Sequence, residues 1–238
     1  MSSTKKTFLK QVEALRNPER AIGAAKFFQC FPGGYGEGDI FYAITVPEQR
    51  KLSKQYYKLL SLEELAELLT DPVHDIRITT LMMLVLRFQK SKDKAEQEAI
   101  VNIYLNSTNY INNWDLVDTS AHHILGAWLL DKPHDILFEL AERDHLWSQR
   151  IAMIASAHFI GKKEYKTALQ LAEKLLHHKH DLIHKAVGWM LREIGNRDYK
   201  TEYNFLLKHY KTMPRTMLRY AIEKFDEPVR QGFLKGTL

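Results

Sequence analysis

Apolar residues recur every three to four positions along most of the chain, a spacing that predicts amphipathic helices. In SLEELAELL (61–69), leucines form one apolar stripe, and Ser61 followed three residues later by Glu64 is a capping-box signature. The one run typical of a strand is FYAITV, Phe41 to Val46, which Pro47 ends. The predicted fold class is therefore all-α.

The helices are expected to come in repeated pairs. Charged residues near the starts of successive apolar helices, Arg77, Asp115, Arg150 and Lys185, are spaced by 38, 35 and 35 residues. A recurring two-helix unit of this length predicts an α-solenoid of HEAT-like repeats, curved, with a concave basic groove. We expect one domain over residues 1–238, with a helical start at 1–30, a Gly-rich loop at 31–39 and repeats from about 48 to 238.

The segment FPGGYGEGD holds four of the chain's eleven glycines and is predicted to be a loop. It does not match a phosphate-binding loop, because no Lys-Ser/Thr pair follows it and no strand-to-helix context surrounds it.

The charge of the chain permits a polyanionic partner without requiring one. Lysine and arginine total 34 against 29 acidic residues, for a net charge of +5. The single cysteine, Cys30, excludes an intrachain disulfide, and the sequence holds neither a secretory signal nor an apolar run long enough to span a bilayer. We expect a cytoplasmic protein with no membrane partner.

The stretch NNWDLVD places an indole and two carboxylates at the start of a predicted helix. Trp114 and Asp118 are four residues apart and share a stripe with His122, whereas Asp115 suits the free amides of the helix start. The neighbouring stripe is expected to face the core; it comprises Val117, Ala121, Ile124, Leu125 and Trp128.

Tryptophans and cations recur together on the second helices of the repeats, which line the concave face in this architecture. The residues are Trp114, Trp147, Trp189, Arg77, Arg150, Lys185 and Arg192. Aromatic rings interleaved with cations suit a nucleic-acid backbone. The alternative is that one tryptophan per repeat only fills space between repeats.

The sequence disfavours a metal site and a serine or cysteine nucleophile. The run HHKH (177–180) and the pair His122-His123 match no metal-site spacing, so no metal site is expected. No GxSxG elbow is present, and Cys30 has no histidine near it in the sequence.

With NNWDLVD, LWSQR and KAVGWMLRE in this order, the sequence resembles the AlkD-like family of HEAT-repeat DNA glycosylases. The loop PGGYGEGD with VPEQR, and MPRTMLRYAIEKF near the end, also resemble members of this family. The resemblance implies removal of positively charged N3- or N7-alkylated purines from duplex DNA. It also implies that no metal or nucleotide cofactor is used, and that the usual base-flipping pocket of glycosylases is missing.

The resemblance assigns Trp114 and Asp118 to a catalytic cleft, together with Arg150 of the WxQR motif and Trp189 of the GWxLRE motif. A cleft tyrosine of the family corresponds to Phe27, so a hydroxyl is missing there. Residues expected to contact DNA are Phe27, Arg50, Arg77, Trp147, Lys185, Arg192, Arg215 and Arg219.

Two other functions are compatible with the sequence. A non-catalytic binder of damaged or branched DNA is favoured by Phe27 and opposed by Asp118. A protein-interaction solenoid would have an apolar or acidic concave face, against which the spacing of tryptophans and cations argues. We expect a monomer that acts on double-stranded DNA with alkylated bases.

Overall fold

The computed structural model describes residues 2–238, and its secondary structure is helical. Within these residues no strand forms, and the one ladder-type contact outside strands is an isolated parallel bridge between Ile40 and Val73. The predicted all-α class is confirmed. The chain divides into two compact units, Met1–Trp128 and Leu129–Leu238.

The first unit begins with two helices in the segment 1–30, of which Met1 lies outside the described residues. Its helices are α1 (Ser3–Ala14), α2 (Pro18–Phe27), α3 (Val46–Tyr56), α4 (Leu62–Leu68), α5 (His74–Lys90), α6 (Lys94–Asn106) and α7 (Trp114–Ser120). After α7 the chain forms one π-helical turn, His122–Gly126, and then the short α8 (Ala127–Leu129).

The second unit continues the helical pattern. Its helices are α9 (Asp135–Glu142), α10 (Leu146–Ala155), α11 (Ala157–Gly161), α12 (Lys166–Lys174), α13 (Asp181–Gly195), α14 (Tyr199–His209), α15 (Arg215–Ala221) and α16 (Glu227–Lys235). A single 3₁₀ turn, Ile222–Lys224, follows α15.

Helix pairs stack in sequence order within each unit. In the first, α5 packs between α3 and α7, with α4 and α6 also against it. In the second, α13 packs between α10 and α15, and α12 and α14 lie against it. The starts of α10, α13 and α15 are 35 and 34 residues apart, so the repeat predicted from the sequence is present in this unit. That all repeats form one continuous domain stays a prediction.

The strand-like run FYAITV is irregular because a buried carboxylate satisfies its backbone. Asp75 accepts hydrogen bonds from the amides of Tyr42 (2.8 Å), Ala43 (3.3 Å) and Ile44 (2.8 Å). Helix α3 then begins at Val46, before Pro47, since proline is tolerated in the first helical turn.

Two local predictions can be checked directly. Ser61 and Glu64 form the expected capping box at the start of α4. None of the helices in the described part of the chain is long and apolar enough to cross a lipid bilayer.

Candidate functional site

The helix expected from NNWDLVD is α7, and its faces divide as predicted. Val117 and Ala121 are fully buried, whereas Trp114 and Asp118 are partly exposed beside them, one turn apart. Asn113 caps the helix by accepting a hydrogen bond from the Trp114 amide at 2.8 Å. This edge of α7 therefore presents an indole and a carboxylate next to the core.

An aromatic cluster fixes the indole of Trp114. The ring stacks on Phe28 with a centroid distance of 5.2 Å and an interplanar angle of 24°. Phe27 meets it edge-on, at 5.8 Å and 77°. Phe27 itself is 65% exposed, so this side chain lies beside Trp114 and is open to solvent.

A hydroxyl that the sequence did not point to completes this cluster. Tyr35, in the Gly-rich loop, accepts a hydrogen bond from Nε1 of Trp114 at 3.2 Å, and its hydroxyl donates to the Phe27 carbonyl at 3.4 Å. The loop can approach so closely because a Cβ at Gly36 would lie 2.3 Å from the Phe28 carbonyl oxygen. The loop therefore holds a phenol against the indole.

Behind the cluster lies a buried ionic network. His74 lies between two carboxylates: its Nδ1 is 3.2 Å from Asp39 and its Nε2 is 2.8 Å from Asp115. Its ring also stacks on Phe41 at 4.4 Å. Asp115 serves the helix start as expected, by accepting a hydrogen bond from the Leu116 amide at 2.8 Å, and its other carboxylate oxygen ties α7 to α5.

The pKa values in this network follow from the contacts. Burial by itself would lower the pKa of His74, but the charge and hydrogen bond of Asp115, with the hydrogen bond of Asp39, raise it to about 9. Burial would raise the pKa of Asp39, whereas His74 and Arg77 hold it below its usual value. The imidazole is thus charged at neutral pH, and both carboxylates have a cationic partner.

Arg77 belongs to the same network, which corrects the expectation that it contacts DNA. Its guanidinium is buried and donates to Asp39 at 2.6 Å, to the side chain of Asn112 at 2.9 Å and to the Asp71 carbonyl at 2.8 Å. A guanidinium held in this way is not available to a phosphate.

The second unit carries the other two residues assigned to the catalytic cleft. Arg150, on α10, is buried, and its Nη1 donates to the Leu182 carbonyl at 2.5 Å, in the first turn of α13. Trp189 is partly exposed on α13, with Nε1 3.3 Å from the carboxylate of Glu193. That these residues share a cleft with Trp114 and Asp118 stays a prediction.

Trp147 is a second correction. Its side chain is only 6% exposed, so it does not offer a ring for a base to stack on. This position fits the alternative interpretation of a tryptophan that fills space in the repeat.

The remaining cations expected to contact DNA lie at or near the surface. Lys185 pairs with Asp181 at 2.7 Å, Arg192 pairs with Glu223, and Arg215 donates to the Leu234 carbonyl at 3.0 Å. Arg50 and Arg219 are exposed. The ion pairs of Lys185 and Arg192 are partly accessible to solvent and contribute little to the free energy of unfolding. A phosphate can therefore compete for these cations.

The histidine runs form no metal site among the described residues, where no cluster of three or more His, Cys, Asp or Glu side chains is suited to an ion. His178 of the HHKH run is instead 2.9 Å from the amide oxygen of Gln149. Cys30 is half-buried, and burial with the nearby Asp39 raises the pKa of its thiol to about 11, so it is a poor nucleophile at neutral pH.

The sequence matches a family model described as DNA alkylation repair enzyme over residues 8–225. The chain belongs to this family. No curated protein matches it.

Solved structures show the same fold. A predicted DNA alkylation repair enzyme from Enterococcus faecalis is 17% identical, with a TM-score of 0.69 over 89% of this chain and 97% of its own. AlkD2 from Streptococcus mutans is 15% identical, with a TM-score of 0.55 over 88% and 98%. The protein smu.31 from Streptococcus mutans UA159 is 15% identical, with a TM-score of 0.51 over 94% and 100%.

Proposed function

We propose that the protein is a monofunctional DNA glycosylase that removes positively charged N3- or N7-alkylpurines from duplex DNA. The family match over residues 8–225 supports DNA as the substrate and alkylation repair as the process. The finer assignment rests on one observation, the carboxylate of Asp118 one helical turn from the indole of Trp114 on the partly exposed edge of α7.

The reaction requires stabilisation of a cation and no oxidant or reductant. When the bond between C1′ and the purine nitrogen breaks, its electron pair goes to the alkylated base, which leaves neutral. The deoxyribose acquires oxocarbenium character at C1′, and water adds there and loses a proton. A carboxylate at Asp118 would stabilise the developing charge and orient that water.

The aromatic residues have a matching role. The negative face of an indole attracts a sugar that is becoming cationic, and Trp114 is held rigidly by Phe28 and Tyr35. A rigid ring costs little reorganisation when the charge forms.

The test is base release from methylated duplex DNA. We expect the purified protein to release 3-methyladenine or 7-methylguanine, measured by chromatography, and Asp118→Asn to lower the rate about 10²-fold or more. Glu98→Gln is a matched control, because Glu98 is an exposed carboxylate on α6. An Asp118→Asn rate equal to that of the wild type would remove this carboxylate from the mechanism.

A non-catalytic binder of damaged DNA is the second candidate, because Phe27 carries no hydroxyl at the position of the family's cleft tyrosine. That function predicts tight binding of methylated duplex without release of a base. The same chromatographic assay, run alongside a binding measurement, separates the two.

A further inference from the structure

A cavity of about 550 Å³ lies beside Trp114, entirely within the first unit. Its floor is one face of α5, formed by Ile78, Met82, Val85 and Leu86 at helical spacing. The volume falls within the range of small-molecule sites. An apolar floor of this kind suits a flat, weakly hydrated group.

One wall of the cavity is aromatic. Phe28 and Trp114 both line it, and their rings are already stacked on each other, which fixes their orientation. Thr119, on the next turn of α7, adds a hydroxyl to the same wall. A planar ring entering here meets ordered aromatic surface with a polar group at its edge.

The opposite wall carries two cations. Arg50 and Lys54 are one turn apart on α3, and both line the cavity. Both are exposed, and within residues 2–238 neither has a hydrogen-bonding or ion-pair partner. The carboxylate of Asp115 also lines the cavity but is paired with His74, so the two adjacent cations can accept a phosphate.

An adjoining cavity of about 580 Å³ lacks this combination. It shares Phe28, Val46, Ile78 and Asp115 with the first, but Arg20 is the one Lys or Arg that lines it. Paired cations opposite an aromatic wall therefore distinguish the cavity beside Trp114.

We propose that the cavity between α3, α5 and α7 binds one nucleotide, with its base against Trp114 and the apolar face of α5 and its phosphate on Arg50 and Lys54. The nucleotide has two possible sources, a free mononucleotide or a residue of a DNA strand turned out of the stack. The second source would give this protein a base-holding pocket that the family resemblance did not imply.

The proposal extends the proposed function but does not need bond cleavage. It can therefore fail while base release persists, or hold in a protein that releases nothing. The measurements below are of binding alone.

The first measurement uses free deoxyadenosine 5′-monophosphate, titrated calorimetrically against the full chain, with deoxyadenosine as the ligand control. If the site takes a free nucleotide, the monophosphate binds and deoxyadenosine binds at least about 10-fold more weakly. Arg50→Ala with Lys54→Ala then lowers affinity about 10- to 100-fold, as expected for loss of charge-assisted hydrogen bonds.

The second measurement compares a duplex that carries one extrahelical nucleotide with a fully paired duplex of the same length. If the site takes a nucleotide of DNA, the bulged duplex binds at least about 10-fold tighter. Leu86→Trp, which fills the cavity from its floor, abolishes this preference, and so does the Arg50 and Lys54 double variant. Lys51→Ala is the matched control, because Lys51 lies on α3 beside Arg50 but lines a different surface depression.

Either ligand preference, lost in the cavity variants and kept in Lys51→Ala, supports the proposal and identifies the source. Circular dichroism and thermal unfolding check that each variant is folded. If Leu86→Trp does not fold, the surface double variant of Arg50 and Lys54 tests the proposal alone. No binding of the monophosphate together with equal affinity for both duplexes would overturn the proposal. A preference that survives in the double variant would also overturn it.

Discussion

The Nε2 atom of His74 lies 2.8 Å from Oδ2 of Asp115, which joins α5 to the first turn of α7. The same imidazole contacts Asp39 at the end of the Gly-rich loop. One buried cation therefore fixes both the helix that carries Trp114 and Asp118 and the loop that carries Tyr35.

This arrangement predicts a loss of stability in alkali. The pKa of His74 is about 9 in the folded protein against 6.5 for an unperturbed histidine, so its contribution is complete below pH 6.5 and is lost as the pH rises through 9. We expect the free energy of unfolding in urea to fall between pH 6.5 and 9.5, and to fall less in His74→Gln. His177→Gln, which alters an exposed histidine, should leave the wild-type slope; equal slopes in all three proteins would contradict the assignment.

Arg77→Met should destabilise the protein without weakening DNA binding. Removing one partner of a buried ion pair leaves Asp39 with less compensation, at a cost of about 3–5 kcal/mol in the free energy of unfolding. Arg219→Met, at an exposed cation, should leave stability unchanged. The test is urea unfolding, together with duplex affinity measured at a temperature where both variants are folded. If Arg77→Met loses more affinity for the duplex than Arg219→Met does, Arg77 is a DNA contact after all.

Tyr35→Phe removes the hydroxyl that contacts both the indole of Trp114 and the Phe27 carbonyl. The substitution removes the acceptor of Trp114 Nε1 and keeps the ring, so the free energy of unfolding should change by only about 1 kcal/mol. We expect base release to slow several-fold because Trp114 is less firmly oriented. Tyr110→Phe, at an exposed tyrosine, is the control and should not change the rate.

Binding to duplex DNA should depend steeply on salt. Each phosphate neutralised by a cation contributes about −0.9 to the slope of log K against log salt concentration. Arg219→Ala should reduce the magnitude of the slope by about one, because Arg219 is exposed and carries no partner within residues 2–238. Affinity that is the same at low and physiological salt would rule out a phosphate-binding surface.

In the second unit, Glu202→Gln should stabilise the protein at high pH. Burial raises the pKa of Glu202 to about 8, although the nearby Arg192 lowers it. The folded pKa of Glu202 lies above its unfolded value of 4.5. The contribution of this protonated carboxyl to the free energy of unfolding is therefore complete below pH 4.5 and is lost as the pH rises through 8. The variant should gain about 1–3 kcal/mol in free energy of unfolding at pH 9 and almost nothing at pH 4.5; a similar gain at both would point to packing.

The helices and their repeat were predictable because they depend on local periodicity. Ser61 and Glu64, three residues apart, form the expected capping box, and Trp114 and Asp118 lie on one face of α7 as their spacing requires. These relationships are settled within one or two helical turns.

The buried network was not predictable by the same means. His74 meets Asp39 and Asp115 across 35 and 41 residues of sequence, and no periodicity links them. Arg77 has the same sequence signature whether it faces solvent or Asp39. Tyr35 lies in a loop whose path depends on glycines, so its contact with Trp114 leaves no pattern in the sequence.

The π-helical turn at His122–Gly126 has a consequence for how this region tolerates change. The Gly126 amide donates to the Ala121 carbonyl, five residues back, at 3.0 Å, so the turn contains one residue more than an α-helix would. Trp128, expected in the core stripe, is accordingly partly exposed, with the Lys94 ammonium 5.9 Å from its ring. Deleting one amino acid here would return the turn to regular α-helix and leave the downstream side chains in nearly the same phase, whereas the same deletion inside a flanking α-helix would rotate them by about 100° about the helix axis.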